Sequence, residues 1–205
     1  MRRGYSVWHI LNFKPSTLDF TGRWRNLIGC PEVTGSWIIW GKSANGKTRF
    51  ALQLASYLCN FGKVAYDSLE EGLSLTMQNA IKEVGFTSME CKRNFMLLDK
   101  EPIDDLRLRL QSRGAPRAVI IDSLQYTGMN YDDYKELRNE NPDKILIFIS
   151  HADGAEPKGN VANSVKFDAN VKIYVEGYRA MAQSRYGGGT HFDVWPLKAS
   201  EYWGN

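Results

Sequence analysis

The sequence predicts an α/β fold in which a mostly parallel, doubly wound sheet ends in an antiparallel edge toward the C-terminus. From residue 36 onward, apolar runs of strand type alternate with segments that have helical spacing. The apolar runs are almost unbroken Val, Ile and Leu, which is typical of parallel strands buried on both faces. After residue 165 apolar and polar residues alternate between glycine turns, which indicates antiparallel strands. Repeated strand–helix units of the first kind build doubly wound sheets.

Each element is predicted from its own local pattern, and glycines close several of the helices, as is common at helix C-termini. The predicted parallel strands are Trp37–Trp40, Val64–Ser68, Phe95–Leu98, Ala118–Asp122 and Ile145–Ser150. The predicted helices are about Gly46–Asn60, Leu73–Val84, Ile103–Ser112 and Asp132–Asn139. The predicted antiparallel segments are Val171–Val175, Arg179–Arg185 and His191–Trp195. The three glycines at 187–189 precede a strand rather than a helix, so they predict a hairpin turn and not a second phosphate loop.

Composition bounds the class of protein. The 205 residues, 43% of them hydrophobic and 24% charged, are typical of a globular chain that buries a full core. We expect one core domain at 34–205, preceded by an aromatic-rich arm at 1–33 that packs on the core or on a neighbouring subunit. The net charge of +3 permits a nucleic-acid partner without requiring one.

The three cysteines are far apart in the sequence and have no metal-binding spacing, which predicts reduced thiols and a cytoplasmic location. Ser6 and His9 interrupt the apolar residues near the N-terminus, so we expect no secretory signal. No stretch is long enough to predict a membrane span.

The most specific motif is a phosphate-binding loop of the pattern G-x-x-x-x-G-K-[ST]. It consists of Gly41, Lys42, Ser43, Ala44, Asn45, Gly46, Lys47 and Thr48. The glycines allow the loop to curl so that backbone N–H groups point at phosphate oxygens, and the start of the following helix adds its dipole. Lys47 is expected to reach the β- and γ-phosphates, and the Thr48 hydroxyl is expected to ligate Mg²⁺.

Hydrolysis of a bound nucleotide requires further groups, and the strand ends offer them. Ligands of open α/β sheets bind at the carboxyl ends of the strands, so Asp122 is expected beside the loop as a second Mg²⁺ ligand. Asp67, Glu70 and Glu71 all follow the second strand, and spacing alone does not choose which one activates water. His151 ends another strand, where it can sense the γ-phosphate.

Five motifs occur in the order found in RecA-like ATPases. They are the loop at 41–48, Ser-Leu-Glu at 68–70, Ile-Ile-Asp-Ser at 120–123, Ile-Ser-His at 149–151 and Gln-Ser-Arg-Tyr-Gly at 183–187. The likeness covers roughly residues 30 to 197 and resembles the core shared by RadA-type repair ATPases and DnaB-type replicative helicases. It implies a RecA-like P-loop NTPase fold, Glu70 as the catalytic glutamate and His151 as the polar sensor. It also implies that Arg185 is inserted into a neighbouring subunit's ATP site.

The chain departs from this family at Gln183, because the family usually has Lys-x-Arg before its glycine. One of two cations is therefore missing from the motif, and Arg179 or Lys172 are the candidates to replace it.

The resemblance also implies single-stranded DNA as a partner. The loops that line the family's central channel correspond to about Gln125–Asp132 and Gly154–Lys166. In the first, Tyr126 and Tyr131 are candidates for stacking on bases, together with Met129. In the second, Lys158 and Lys166 are candidates for phosphate contacts.

The sequence thus predicts an ATP–Mg²⁺-dependent ATPase that assembles head to tail and acts on single-stranded DNA as a helicase, recombination or repair motor. Two alternatives remain open. One is an ATP-binding regulatory switch with little turnover, which Gln183 favours. The other is a different P-loop phosphotransferase, such as a small-molecule kinase.

Overall fold

A computed structural model describes residues 4–204, so the first three residues of the predicted arm and the last residue of the chain lie outside it. The central sheet has the strand order β3-β2-β4-β5-β1-β7-β8-β9, and β6 pairs with the end of β5. Strands β1 to β9 are Gly35–Gly41, Val64–Ser68, Phe95–Leu98, Ala118–Asp122, Ile145–Asp153, Glu156–Pro157, Val171–Glu176, Arg179–Ser184 and Phe192–Asp193.

The strand directions confirm the predicted fold class. Strands β1 to β5 and β7 pair in parallel, whereas β8 and β9 are antiparallel additions at one edge. The prediction that Val171–Val175 is antiparallel is wrong for its pairing with β1, because this strand continues the parallel sheet and only its partner β8 reverses direction. Helices α1 to α9 are Val7–Asn12, Gly22–Ile28, Lys47–Leu58, Leu75–Val84, Met89–Asn94, Ile103–Gln111, Tyr131–Glu140, Asn160–Asp168 and Pro196–Trp203. None of the helices in the described part of the chain is long and apolar enough to cross a bilayer.

Among the described residues, five short helices were not predicted: α1, α2, α5, α8 and α9. Helix α8 falls in the segment expected to be a loop through Lys166, and that expectation is wrong for residues 160–166. Its sequence is mostly polar, and only Ala162 and Val165 are buried, so the apolar stripe is too narrow to give a clear helical signal. Helix α9 begins with Pro196, which is favoured in the first turn of a helix.

The strands carry apolar side chains on both faces, because successive residues of a strand point to opposite sides. In β1, Trp37 and Ile39 belong to the core cluster that contains Phe50 of α3. Ile38 belongs to the opposite cluster, together with Phe148 of β5. Each such side chain contributes roughly 1.5–3 kcal/mol when it is fully buried, so the parallel strands form a rigid base for the loops at their carboxyl ends.

The N-terminal arm divides into two parts. Residues 18–28 pack into the core, where Trp24 lies 4.6 Å from the ring of Phe192. Helix α1, by contrast, buries none of its residues. This part of the arm therefore presents apolar side chains to solvent.

Candidate nucleotide-binding site

The loop between β1 and α3 has a backbone that requires its glycines. Gly46 has φ +94°, a left-handed conformation that L side chains rarely adopt, and it directly precedes α3. A Cβ atom on Gly46 would lie 3.1 Å from the ring of Tyr178, and one on Gly41 would collide with the carbonyl oxygen of Val175. The loop is therefore a close-packed backbone cradle at the N-terminus of a helix, which is the geometry that binds phosphate.

Lys47 is the first residue of α3, and its side chain folds back along the loop. Its Nζ donates a hydrogen bond of 2.9 Å to the carbonyl oxygen of Lys42. Burial lowers the pKa of Lys47, while the nearby carboxylates of Asp122 and Glu70 oppose that shift. Lys47 thus lies in an acidic crevice, where a bound phosphate would compete with these carboxylates for the interaction with its ammonium group.

Asp122 ends β4 in that crevice and is 8% exposed. The Tyr66 hydroxyl donates a hydrogen bond to its Oδ2. Burial raises the pKa of Asp122 to about 6, although the hydrogen bond from Tyr66 acts in the opposite direction. The carbonyl oxygen of Asp122 accepts bonds from the backbone N–H groups of Leu69 (2.7 Å) and Glu70 (3.2 Å). The end of β4 therefore fixes the segment that carries the glutamate.

The structure separates the three acids that follow β2. Asp67 is fully buried, and its Oδ1 accepts a bond of 3.1 Å from the backbone N–H of Glu101, away from the crevice. Glu71 accepts a bond of 2.8 Å from the Thr76 hydroxyl. Glu70 is the one that lies against His151, with 3.6 Å between Oε2 and Nε2.

His151 connects the glutamate to the loops that follow β4 and β5. Its Nε2 lies 3.5 Å from the hydroxyl of Ser123, and its backbone N–H donates to the Gln125 side chain at 3.3 Å. The amide nitrogen of Gln125 donates in turn to the Ser150 hydroxyl (2.8 Å) and to the Lys158 carbonyl (2.9 Å). Gln125 was not predicted to have this role, because a single glutamine in a polar loop carries no pattern.

The crevice offers oxygen ligands that suit Mg²⁺. Thr48 lies in the first turn of α3, next to Lys47, and Asp122, whose charge acts on Lys47, ends β4. Mg²⁺ prefers such hard oxygen ligands and is commonly held by one or two protein groups together with substrate phosphates and water. The donor set therefore fits the metal that the sequence predicts.

Arg185 lies at the opposite end of the sheet from its own phosphate loop. Its backbone N–H donates to the carbonyl of Asn170, whose own N–H donates to Ser36 at the start of β1. The loop begins at Gly41, five residues further on, which is about 17 Å along a strand. Arg185 lines an open cavity of about 440 Å³ with Lys172, Gln183 and the three glycines at 187–189.

The two candidates to replace the missing cation occupy different places. Lys172 is the cross-strand partner of Gln183, so their side chains start side by side. Arg179 pairs instead with Glu176 at the other end of β8, and its guanidinium forms an ion pair of 2.7 Å with Asp193. Lys172 is therefore the candidate that shares a cavity with Arg185.

The side chains expected to contact DNA differ in their exposure and in the contacts that they already make within the chain. Tyr126 is 55% exposed, and Lys158 is exposed as well. The Tyr131 hydroxyl donates to Asp168 at 3.2 Å. Lys166 forms an ion pair with Glu156, and its Nζ lies 4.8 Å from the ring centre of Trp40. Tyr131 and Lys166 thus already have polar or charged partners within the chain, and the Tyr126 ring lies edge to face with the His151 ring at 6.4 Å.

This arrangement of sheet, loop and acidic strand ends has the RecA-like fold, and the fold predicted from the sequence is confirmed. The chain is similar in structure to the flagellar accessory protein FlaH from Methanocaldococcus jannaschii, with 18% identity, a TM-score of 0.59 and coverage of 87% of this chain and 94% of that one. It is also similar to the solved ATPase domain of another protein, with 15% identity, a TM-score of 0.54 and coverage of 82% of this chain and 84% of that one. By sequence, the chain matches no protein-family model and no curated protein.

Proposed function

We propose that this protein binds ATP with Mg²⁺ and hydrolyses it. The observation that carries the proposal is the contact between Glu70 and His151, 3.6 Å apart, in the crevice that also holds Lys47 and Asp122. The fold supports it, because the similar solved structures include an ATPase domain.

Each group has a distinct role in this proposal. Residues 41–48 hold the phosphates, with Lys47 at the β- and γ-phosphates. Thr48 and Asp122 would hold Mg²⁺, which when bound neutralises charge on the phosphates. Glu70 accepts a proton from the attacking water, and its exposed position, with 42% of the side chain accessible, leaves it open to that water.

We further propose that the site is completed by a second copy of the chain. Arg185 is held by β8 at the far end of its own sheet, so it can act only on the ATP of a neighbour. Lys172 supplies the second cation beside it. A contact of this head-to-tail kind closes into a ring or continues as a filament.

Single-stranded DNA is the proposed partner of the loops after β4 and β5. Tyr126 offers an exposed ring for base stacking, and Lys158 offers a charge for phosphate. Gln125 lies in the loop after β4 and bonds to Lys158 in the loop after β5 and to the backbone of His151, so DNA bound there would act on the residue that faces Glu70. Tyr131 and Lys166 would exchange their internal partners for DNA.

The test is the rate of ATP hydrolysis with and without single-stranded DNA, with Lys47→Ala as the control for the phosphate loop. We expect turnover that DNA stimulates and that the substitution abolishes. No turnover in either condition, despite ATP binding, would contradict the motor and identify the regulatory switch. Transfer of phosphate to a small acceptor instead of water would identify a phosphotransferase.

The regulatory switch remains the second candidate because of Gln183. An uncharged side chain in the cavity of Arg185 lowers the positive charge available to a neighbour's γ-phosphate. This candidate predicts tight ATP binding and slow hydrolysis even when the protein is assembled.

A further inference from the structure

The sheet order fixes the direction in which a nucleotide would lie. Glu70, Asp122 and His151 lie at the ends of strands β2, β4 and β5, which are all on one side of β1. The γ-phosphate must face these groups if they take part in hydrolysis. The nucleoside therefore extends toward the other side of β1, where β7, β8 and β9 lie.

On that side the turn between β7 and β8 is bonded directly to the phosphate loop. The backbone N–H of Gly177 donates to the Asn45 side chain at 2.7 Å, and that of Tyr178 donates to the Asn45 carbonyl at 3.2 Å. Tyr178 has φ +58°, which is rare for a bulky residue and persists only where the surroundings enforce it. Its ring packs against Gly46.

A second aromatic ring adjoins the first. Tyr178 and Trp195 are edge to face, with ring centres 6.2 Å apart and an interplanar angle of 78°. Lys198 Nζ lies 4.9 Å from the ring centre of Tyr178 and 4.2 Å from that of Trp195. Arg49, which follows Thr48 in the first turn of α3, lies 4.4 Å from the Trp195 ring and is bonded to Glu83 at 2.6 Å.

We propose that Tyr178 and Trp195 form the subsite for the base of the bound nucleotide. Both rings are half-buried beside the first turn of α3, where the phosphates end and the nucleoside begins. Aromatic side chains stack on nucleobases as readily as they attract cations, so a base can take the position of the Lys198 side chain. The ion pair between Arg49 and Glu83 keeps Trp195 oriented for this contact.

This inference rests on the proposed function, and its test separates the two. The probes are Mg²⁺–ATP, Mg²⁺–CTP and Mg²⁺–tripolyphosphate, which lacks a nucleoside, with affinities measured by calorimetry. Wild-type protein is expected to bind ATP about tenfold or more tighter than tripolyphosphate, as stacking on one base implies. CTP should bind between the two, because a pyrimidine has a smaller ring to stack. Tripolyphosphate that fails to bind would refute the phosphate loop itself, whereas equal affinity for ATP and tripolyphosphate would refute only the base subsite.

Substitutions of Trp195 test whether its ring belongs to the base subsite. Trp195→Leu should weaken ATP about tenfold and leave tripolyphosphate within about twofold, whereas Trp195→Phe, which keeps a ring, should retain most of the affinity. Phe167→Leu, at an exposed aromatic residue of α8, is the matched control. If Trp195→Leu does not fold, indole fluorescence tests the base subsite instead. ATP should change the emission of the wild-type protein, whereas tripolyphosphate should not. Trp195→Phe should lose the change that ATP causes. An unaltered emission in wild type would overturn the proposal.

Discussion

At the scale of residues, the crevice brings together Lys47 of α3, Asp122 at the end of β4 and Glu70 after β2. The phosphate loop is recognisable because its backbone needs glycine at fixed spacing, and Asp122 because it ends a continuous apolar strand. The choice of Glu70 came from resemblance, since three acids so close together have no distinguishing spacing. The supporting hydrogen bonds from Tyr66 and Gln125 were not predictable, because they join residues from strands that meet only in the fold.

Glu70→Gln should leave ATP affinity within about threefold and lower turnover by about 10²- to 10⁴-fold, because an amide cannot accept the proton of the attacking water. Glu71→Gln is the matched control, since the Glu71 carboxylate is bonded to the Thr76 hydroxyl and not to His151. Binding and single-turnover hydrolysis measure the two effects separately. Equal losses in both variants would show that the assignment to Glu70 is mistaken.

The buried carboxyl group of Asp67 should make the free energy of unfolding depend on pH. Burial raises its pKa to about 7, compared with 3.8 when unperturbed, although the backbone bond from Glu101 and the nearby Arg109 oppose the shift. The native state therefore holds a proton that the unfolded state has lost between about pH 4 and 7, and the free energy of unfolding falls as pH rises through that range.

Chemical denaturation at pH 5 and pH 8 measures this effect. Wild type should lose on the order of 3 kcal/mol more than Asp67→Asn between these pH values, because asparagine does not titrate. Asp143→Asn, at an exposed acid, is the control and should follow wild type. Identical slopes for wild type and Asp67→Asn would exclude this residue as the source.

At the scale of elements, β2, β3 and β4 have the predicted bounds, and β1 and β5 extend up to three residues beyond theirs, because an unbroken apolar run is typical of a buried strand. The direction of β7 was predicted wrongly, since it pairs in parallel with β1. Helix α8 was missed, since its stability comes from two buried side chains and not from its own pattern. The hairpin of β7 and β8 was predicted, but the consequence of its register was not. That register brings Lys172 beside Gln183.

Moving the lysine from position 172 to position 183 of this hairpin tests whether Lys172 supplies the second cation beside Arg185. Lys172→Gln should lower turnover about 10- to 100-fold, the value of one charge-assisted hydrogen bond to phosphate. Adding Gln183→Lys should restore most of it, because cross-strand side chains start about 5 Å apart. Lys82→Gln on α4 is the control. A double variant no faster than Lys172→Gln would contradict a shared position for the two side chains.

At the scale of the whole molecule, the arm was predicted as one segment, but its parts differ in burial. Between residues 18 and 28 it completes the core, whereas α1 exposes Val7, Trp8, Ile10 and Leu11 by 61–79%. Composition alone cannot distinguish these parts, since both are aromatic and apolar. Exposed apolar side chains grouped in this way usually mark an interaction surface.

The double substitution Trp8→Ser and Leu11→Ser should therefore reduce self-association, measured by sedimentation, without lowering the thermal unfolding midpoint, because α1 buries none of its residues. Leu108→Ser, which changes an equally exposed leucine on α6, is the control and should leave assembly intact. An unchanged assembly state in the arm variant would remove α1 from the subunit contact.

The most direct test of the central claim, an ATPase site completed by a neighbour's Arg185, is a mixing experiment with two variants. Glu70→Gln damages the site in the subunit that carries it, and Arg185→Ala damages the site of the subunit next to it. Alone, Glu70→Gln should hydrolyse ATP about 10²- to 10⁴-fold more slowly than wild type at saturating protein. Arg185→Ala alone should be slower by about 10³-fold or more. Mixed in equal amounts, they should recover a measurable fraction of the wild-type rate, because some interfaces then join an intact Glu70 to an intact Arg185. Wild-type turnover by Arg185→Ala alone would contradict the account.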